Sequence, residues 1–388
     1  MVLALLVVLQ SPGATAAAVP RPAAEPARFD AETFDPIVLD GIRRGAFPGG
    51  ALVVGRRDTV LFAKGYGHFT WSSASAVATP DSTLYDLASL TKVLVTTTAL
   101  MLLVERGAVR LEAPAATYVP EFNGAGTAAI TVRALLTHTS GLRATLPLRD
   151  APDPAAALRL VLATTPVVPP GSRVLYSDLN AILLGEIARR AAGEPLEAFA
   201  AREILAPLGL AQTRFRPPPE LRPRIAPTGR WRGHPVAGTV NDPSAAALGG
   251  VAGHAGAFAS AADVGRFAQL MLRDGALPGG RRLLRAETVR LFTTRAPESA
   301  VGPGARTLGW QAVPTDENVS SAGTLFGPRS YGHTGWTGTS LWMDPDRGVF
   351  VVLLTNRAYA PRASRSFTVL KEVRGRVADA AARAWDAR

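Results

Sequence analysis

The sequence predicts an α/β protein in which one antiparallel sheet is built from both chain ends and covered by the terminal helices, with an all-helical subdomain inserted between. Three observations predict it. Strand-like runs gather in residues 50–65 and again in 308–355. Between them, apolar positions recur at helical spacing across Pro- and Gly-rich breaks. Helical segments stand at both ends, placed to cover such a sheet.

Taken in order, residues 29–44 read as the first helix, because Phe34, Ile37, Val38 and Ile42 recur at roughly helical spacing. Runs 50–55 and 60–65 are apolar and rich in β-formers, which makes a hairpin. A helix follows from about Ser89 to Arg106, with Gly107 as its left-handed C-cap. Helices are then expected at 132–137, 155–163, 179–192, 196–204, 261–273 and 285–293. Strand character returns at 308–313, 332–334, 339–343 and 349–355. The turn Asp344-Pro345-Asp346-Arg347-Gly348 joins the last two strands, and a helix over 367–385 closes the chain. The expected division is an export signal at 1–18, a linker at 19–28 and one domain at 29–388. Within that domain the α/β part spans about 29–88 and 300–388, and the helical subdomain about 89–299. The helix after Ser89 then lies at the seam of two bodies, where a cleft is expected.

With 388 residues the chain can bury a large core, and 47% hydrophobic content with a mean hydropathy of +0.14 marks it as globular. The apolar run Val2 to Leu9, followed by A-x-A matches, reads as a secretory signal, although a basic segment before it is missing. The alternative is an alanine-rich N-terminus of a cytosolic protein. With no cysteine there is no disulfide framework and no thiolate metal site. Export as a soluble or loosely membrane-associated protein, without a transmembrane segment, fits best.

The net charge of +11 admits a polyanion partner. Zinc-finger spacing, a helix-turn-helix and aromatic–basic interleaving are all missing, so a nucleic-acid module is not expected. The densest cluster, Arg214, Arg216, Arg222, Arg224, Arg230 and Arg232, is either a solvated loop or a patch with electrostatic attraction to anionic envelope polymers.

The chemistry gathers in DLASLTKVLVTTTALMLLVE, residues 86–105, where Lys92 follows Ser89 by three positions on an otherwise apolar helix. That spacing puts the two side chains within one turn. Desolvation disfavours the ammonium form, and a neutral amine beside a hydroxyl is a general base beside a nucleophile. The chain has only three lysines, Lys64, Lys92 and Lys371. Lysine can release a proton when buried and arginine cannot, so lysine at this point indicates that deprotonation is needed. The alternative is a chance S-x-x-K with the ammonium snorkelling to solvent.

A second stretch, PGSRVLYSDLNAILLGEIARR, places Tyr176 in a loop just before a helix that Ser177 or Asp178 can cap. A phenol there can pass protons between Ser89, Lys92 and a leaving group; the alternative is a packing aromatic. The third, YGHTGWTGTSLWMDP, carries Gly332, Gly335 and Gly338 at the entrance to a strand. Glycines there allow close backbone approach, and the strand could pair with an extended peptide. The N–H of Trp336 could join that of Ser89 as an oxyanion hole, with His333 and Thr334 binding a carboxylate or assisting proton transfer. The alternative is a plain glycine-rich bend.

Together, Ser89-Leu90-Thr91-Lys92, Tyr176-Ser177-Asp178 and His333-Thr334-Gly335 resemble the three motifs of the penicillin-recognising serine hydrolases, most like the class C β-lactamase-related branch. PGGALVV (48–54), ITVRALLTHTSGL (130–142) and GGVAGHAGAFASAADVGRFAQLML (249–272) add to it, and the resemblance covers about 29–359. It implies a β-lactamase/transpeptidase-like fold and acyl-enzyme catalysis without metal or cofactor. Ser89 takes the place of the nucleophile, Lys92 of its base and Tyr176 of the second proton shuttle; Asp178, His333, Thr334, Gly335 and Trp336 take substrate-binding places. Asp178 stands where asparagine is usual and His333 where lysine is, which weakens the fixed charge for a carboxylate unless His333 is protonated. YSDL with GHTGWTGTS looks closest to the cell-wall amidase branch. His138 is read as structural, and His254 as a residue of a glycine-rich loop at the cleft that contacts substrate. Neither has ligand spacing to a second histidine or carboxylate, so a metal site is not expected. The expected function is hydrolysis of an amide or ester in a cell-wall-derived peptide, a β-lactam or a small ester. The alternative is a non-catalytic penicillin-binding-like module that senses or tethers wall fragments.

Overall fold

The computed structural model describes residues 29–297, 304–314 and 320–387; the expected signal and linker lie outside them. Helix α1 (Ala31–Arg43) opens the fold, started by the Asp30 carboxylate, which accepts the Thr33 N–H at 2.9 Å. The hairpin β1 (Gly49–Arg56) and β2 (Val60–Gly67) follows. From the far end of the sequence come β8 (Gln311–Ala312), β9 (Tyr331–Thr334), β10 (Thr339–Asp344) and β11 (Val349–Thr355). The six form one antiparallel sheet in the order β2-β1-β11-β10-β9-β8. The join between the chain ends is β1 against β11, with Gly50 opposite Thr355 and Arg56 opposite Val349.

Period-two alternation sends the side chains of β1 to two separate cores. Leu52 and Val54 pack with Phe34, Val38, Leu370 and Val373 under α1 and the C-terminal helix α11 (Ser366–Asp386). Ala51 and Val53 face the larger core with Phe350, Val264 and Phe267. Both faces are covered, so β1 and β11 read as continuous apolar runs rather than alternating ones.

The middle of the chain carries α2, in which a π-helical stretch Lys92–Thr97 runs into Thr98–Glu105, then α3 (Val132–Leu136), α4 (Pro154–Leu162), α5 (Asp178–Ala192), α6 (Leu196–Ala200), α7 (Ala206–Leu208), α8 (Pro243–Ala247), α9 (Ala261–Leu272) and α10 (Ala286–Thr293). The fold class is as expected, but three local readings change. The inserted region is not wholly helical: its β4 (Arg214–Phe215) and β7 (Ala257–Ala259) make a small sheet with β3 (Tyr85–Asp86), which just precedes it, and β5 (Gly229–Trp231) pairs with β6 (His234–Val236). Strands of two or three residues are too short to leave a periodic signal. The strand expected at 308–313 shrinks to Gln311–Ala312, because Leu308 and Trp310 are buried in the larger core from a loop turned by Gly309 at φ +89°. The first turns of α2 are wide rather than α-helical: the Thr98 hydroxyl bonds back to Val93 O and Thr96 leans to Gly253 O.

Among the described residues no helix is long and apolar enough to cross a membrane. In the arginine cluster, Arg216 pairs with Glu197, Arg224 bonds Ser82 O and the Gln212 side chain, and Arg230 reaches Gly233 O.

Candidate active site

Ser89 sits on a sharp bend between β3 and α2. Ala88, immediately before it, has φ +46°, a conformation that costs a non-glycine residue on the order of 1 kcal/mol or more. Asp86 braces the bend: its buried carboxylate accepts the N–H of Ala88 at 2.8 Å and that of Asn241 at 2.7 Å. Burial pushes that carboxyl up to about 6.

Three elements converge on the Ser89 hydroxyl. Lys92 donates to it from one turn further along at 2.8 Å, and Tyr176, from the loop before α5, donates at 3.1 Å. The Lys92 ammonium also donates to Asp178 Oδ1 at 2.7 Å and to His254 O at 3.3 Å. Tyr176 is held by ring contact with His138 at 4.6 Å, and the Lys92 and Arg306 cations each lie 5.0 Å from its ring centre. His138 has φ +58°, and its Nδ1 accepts the Ser177 N–H and the Asn180 side-chain N–H, each at 3.1 Å. Ser140 Oγ closes the chain on Asn180 at 2.6 Å. His138 is therefore buried structure that orients the Tyr176 loop. Ser177 occupies the N-cap position of α5, but its hydroxyl goes to Arg143 O instead of capping.

The charge on Lys92 differs from the sequence expectation. Burial favours the neutral amine, but the negative charge available on Tyr176 and Asp178 outweighs it and holds the Lys92 pKa above its ordinary value. The resting state is an ammonium–carboxylate pair, not a bare amine. Asp178 comes from a helix far along the chain, so the sequence environment of α2 alone could not reveal it.

The opposite wall is the β9–β10 turn. Thr337 Oγ donates to Asp86 O at 2.7 Å and Thr339 Oγ to Leu87 O at 2.8 Å, which stitches this turn to the Ser89 bend. Gly335 has no room for a side chain: a Cβ there would lie 2.1 Å from Thr339 Oγ1 and 2.5 Å from Leu87 O. Among the described residues the N–H groups of Ser89 and Trp336 have no acceptor within the protein. Among the described residues β8 pairs only with Tyr331 and Gly332 and no strand covers β9 beyond Gly332 on that side, and His333, Thr334, Gly335 and Trp336 line the cavity.

His333 is not a cation. Burial first, then the charges of Arg306 and Lys92, push its pKa well below the ordinary value. Its Nδ1–H donates to Thr334 O at 2.9 Å, which leaves Nε2 as a buried acceptor with no partner among the described residues. It can accept a hydrogen bond; it offers no positive charge to a carboxylate.

Ser89, Tyr176, Asp178, Asp242, Arg306, Trp336 and Phe367 are among the residues lining a cavity of about 650 Å³. His254 is not among them: its side chain is buried, with Nε2 on Asp242 Oδ1 at 2.9 Å, and it reaches the site only through its carbonyl. Burial pushes Asp242 up, but its bonds to His254 and the Ala245 N–H, with the charge of His254 and Lys92, outweigh that and bring it down to about 2. Asp178, Asp242 and His254 bring ligand atoms within 4.8 Å of one another, a grouping that sequence spacing missed. Within this group Asp178 Oδ1 already accepts from the Lys92 ammonium at 2.7 Å. Arg306 and Asp242 were also invisible as site residues in the sequence, since neither belongs to a motif.

The sheet with its inserted helices is the β-lactamase/transpeptidase-like fold of penicillin-binding-like serine hydrolases. The β-lactamase family model matches residues 34–373, and the chain belongs to that family. It is 31% identical over 358 aligned positions to an Escherichia coli (strain K12) protein named "Putative D-alanyl-D-alanine carboxypeptidase", covering 82% of this chain and 80% of that one. Among solved structures it resembles EstCE1, a hydrolase with promiscuous acyltransferase activity, with a TM-score of 0.72 at 21% identity over 90% of this chain and 98% of that one. It also resembles a penicillin-binding protein homologue from Caulobacter crescentus, with a TM-score of 0.71 at 22% identity over 92% and 99%.

Proposed function

We propose that the protein hydrolyses an amide or ester of a peptide-like, cell-wall-derived substrate through an acyl-Ser89 intermediate, after export. One observation carries the reading: the Ser89 hydroxyl, on a strained bend in the cavity wall, is bonded at once to Lys92 and Tyr176. Ser89 Oγ attacks the substrate carbonyl, and its proton passes to the Lys92–Tyr176 pair. The oxyanion is received by the N–H groups of Ser89 and Trp336. As the carbonyl re-forms, the bond to the leaving nitrogen or oxygen breaks, and Tyr176 supplies the leaving group's proton. Water then attacks the ester, and Ser89 recovers its proton as the acid departs.

The Lys92–Asp178 pair adds a condition. A proton held on Lys92 must leave before the pair can accept that of Ser89, so acylation should rise with pH. The uncovered edge of β9 supports an extended peptide-like substrate. The name of the Escherichia coli relative supports one ending in D-alanine. The same ion pair favours, as a second reading, a module that is acylated but rarely turns over.

The test is a hydrolysis panel of D-alanyl peptides, muramyl-L-alanine, nitrocefin and p-nitrophenyl esters, with Ser89→Ala alongside. Turnover of at least one class, lost in Ser89→Ala by about 10³-fold or more, is expected. Acylation without turnover supports the module, and turnover retained in Ser89→Ala overturns both readings.

A further inference from the structure

Two arginines sit behind the β9–β10 turn where charge is costly. Arg374, on α11, is 5% exposed, and so is Arg357, just after β11. Neither forms an ion pair with a carboxylate among the described residues. A buried ionised group without a counter-charge is strongly unfavourable, and proteins usually pair it. Burial lowers Arg357 to about 10; burial together with the charge of Arg357 lowers Arg374 to about 9. Both stay protonated at neutral pH.

Apart from a bond of Arg357 Nη1 to Ser366 Oγ at 3.3 Å, their hydrogen bonds converge on one short segment. Arg374 Nη2 donates to Thr339 O at 2.7 Å and more weakly to Gly335 O at 3.5 Å. Arg357 donates to Trp336 O through Nε at 3.0 Å and again through Nη2. Its guanidinium lies 3.6 Å from the Phe367 ring centre and 5.0 Å from that of Trp336, which fixes its plane. The carbonyl of Gly335 and the N–H of Trp336 belong to the same peptide group. A cation at the oxygen end of that peptide draws electron density toward it and strengthens the N–H at the other end as a donor.

We propose that Arg374 and Arg357 are positioning residues, Arg374 polarising the Gly335–Trp336 peptide through Gly335 O and Arg357 holding Trp336 through the carbonyl of the next peptide, and that their missing counter-charge is the oxyanion formed on the substrate at Ser89. The field is installed before substrate arrives and is matched only when negative charge develops, so it favours the tetrahedral state over the bound substrate. Neither arginine touches substrate. The proposal rests on the acyl-Ser89 reading.

The test compares ground-state and tetrahedral-state binding in Arg374→Met, Arg374→Lys and Arg357→Gln. The probes are a neutral p-nitrophenyl ester for kcat and KM and an aryl boronic acid, which forms a tetrahedral anionic adduct on a serine. In Arg374→Met we expect kcat and boronate affinity each to fall about 10- to 100-fold, with KM changed less than about 2-fold. Arg374→Lys, which keeps a cation, should recover most of both. Arg374→Met with native kcat and boronate affinity overturns the proposal. So does a loss in KM and thermal stability alone, or a loss that lysine does not restore. Should Arg374→Met fail to fold, Arg357→Gln is judged by the same kcat–KM split and boronate shift. If the wild-type protein reacts with neither a fluorophosphonate nor the boronic acid, the acyl-Ser89 reading has failed, which is a distinct result.

Discussion

The two walls of the cleft each bury cations, and they treat them oppositely. On the helical wall Lys92 has the Asp178 carboxylate at 2.7 Å. On the sheet wall Arg374 and Arg357 have carbonyl oxygens, the Ser366 hydroxyl and aromatic rings, and no carboxylate among the described residues. A paired lysine can store a proton and give it up; an arginine cannot. In the proposed mechanism the helical wall moves protons and the sheet wall supplies a fixed field.

The sharpest way to break this comparison is Lys92→Arg. It keeps a cation beside Asp178 but removes proton exchange, and we expect acylation to fall by about 10³-fold or more, read by burst kinetics with an activated ester. Retained turnover would make Lys92 another fixed charge. Next is Gly335→Ala, on the sheet wall. A methyl group there must push the turn away from Leu87 and Thr339, so kcat should drop about 10- to 100-fold, with a stability loss of about 1–3 kcal/mol by thermal or urea unfolding. An unchanged kcat would show that the turn need not sit where it does.

Asp178→Asn gives a smaller effect of predictable sign. Removing the negative charge lowers the pKa of Lys92, so the acid limb of the acylation profile should move to lower pH by about one unit or more. Arg374→Lys should leave that limb in place, since it does not touch the proton-carrying wall. Smallest is a stability effect. His138 and His333 are neutral in the fold, with pKa values well below 6.5. Below about pH 6.5 the unfolded chain binds protons that the folded chain refuses, so stability falls as pH falls, by at most about 1.4 kcal/mol per pH unit for each imidazole. Asp86 opposes one of these slopes below about pH 6, because its folded form keeps its proton there. Urea unfolding between pH 7 and pH 5 should show a net loss; a rise would contradict the buried neutral imidazoles.

How much of this was legible in the sequence follows the physical range of each interaction. The strands β1 and β11 at the centre of the main sheet are apolar runs buried on both faces, and such runs declare themselves locally. Ser89 and Lys92 are one helical turn apart, so their contact at 2.8 Å is also a local fact. What the sequence hid is long-range. Tyr176 and Asp178 keep Lys92 charged, where a neutral amine was expected, from a distant stretch of the chain, and Arg306 helps keep His333 neutral from a loop without a motif. Leu308 and Trp310 looked like a strand because burial alone, without strand pairing, demands apolar residues. Arg374 was one arginine among many on a terminal helix, and only the fold brings it behind the turn.

The most direct test is to quench the wild-type protein during reaction with an activated ester or a fluorophosphonate and map the added mass by peptide mass spectrometry. A single acyl or phosphonyl adduct on Ser89 is expected, lost in Ser89→Ala and formed far more slowly in Lys92→Arg. An adduct on another residue, or equal labelling of Ser89 in Lys92→Arg, would contradict it.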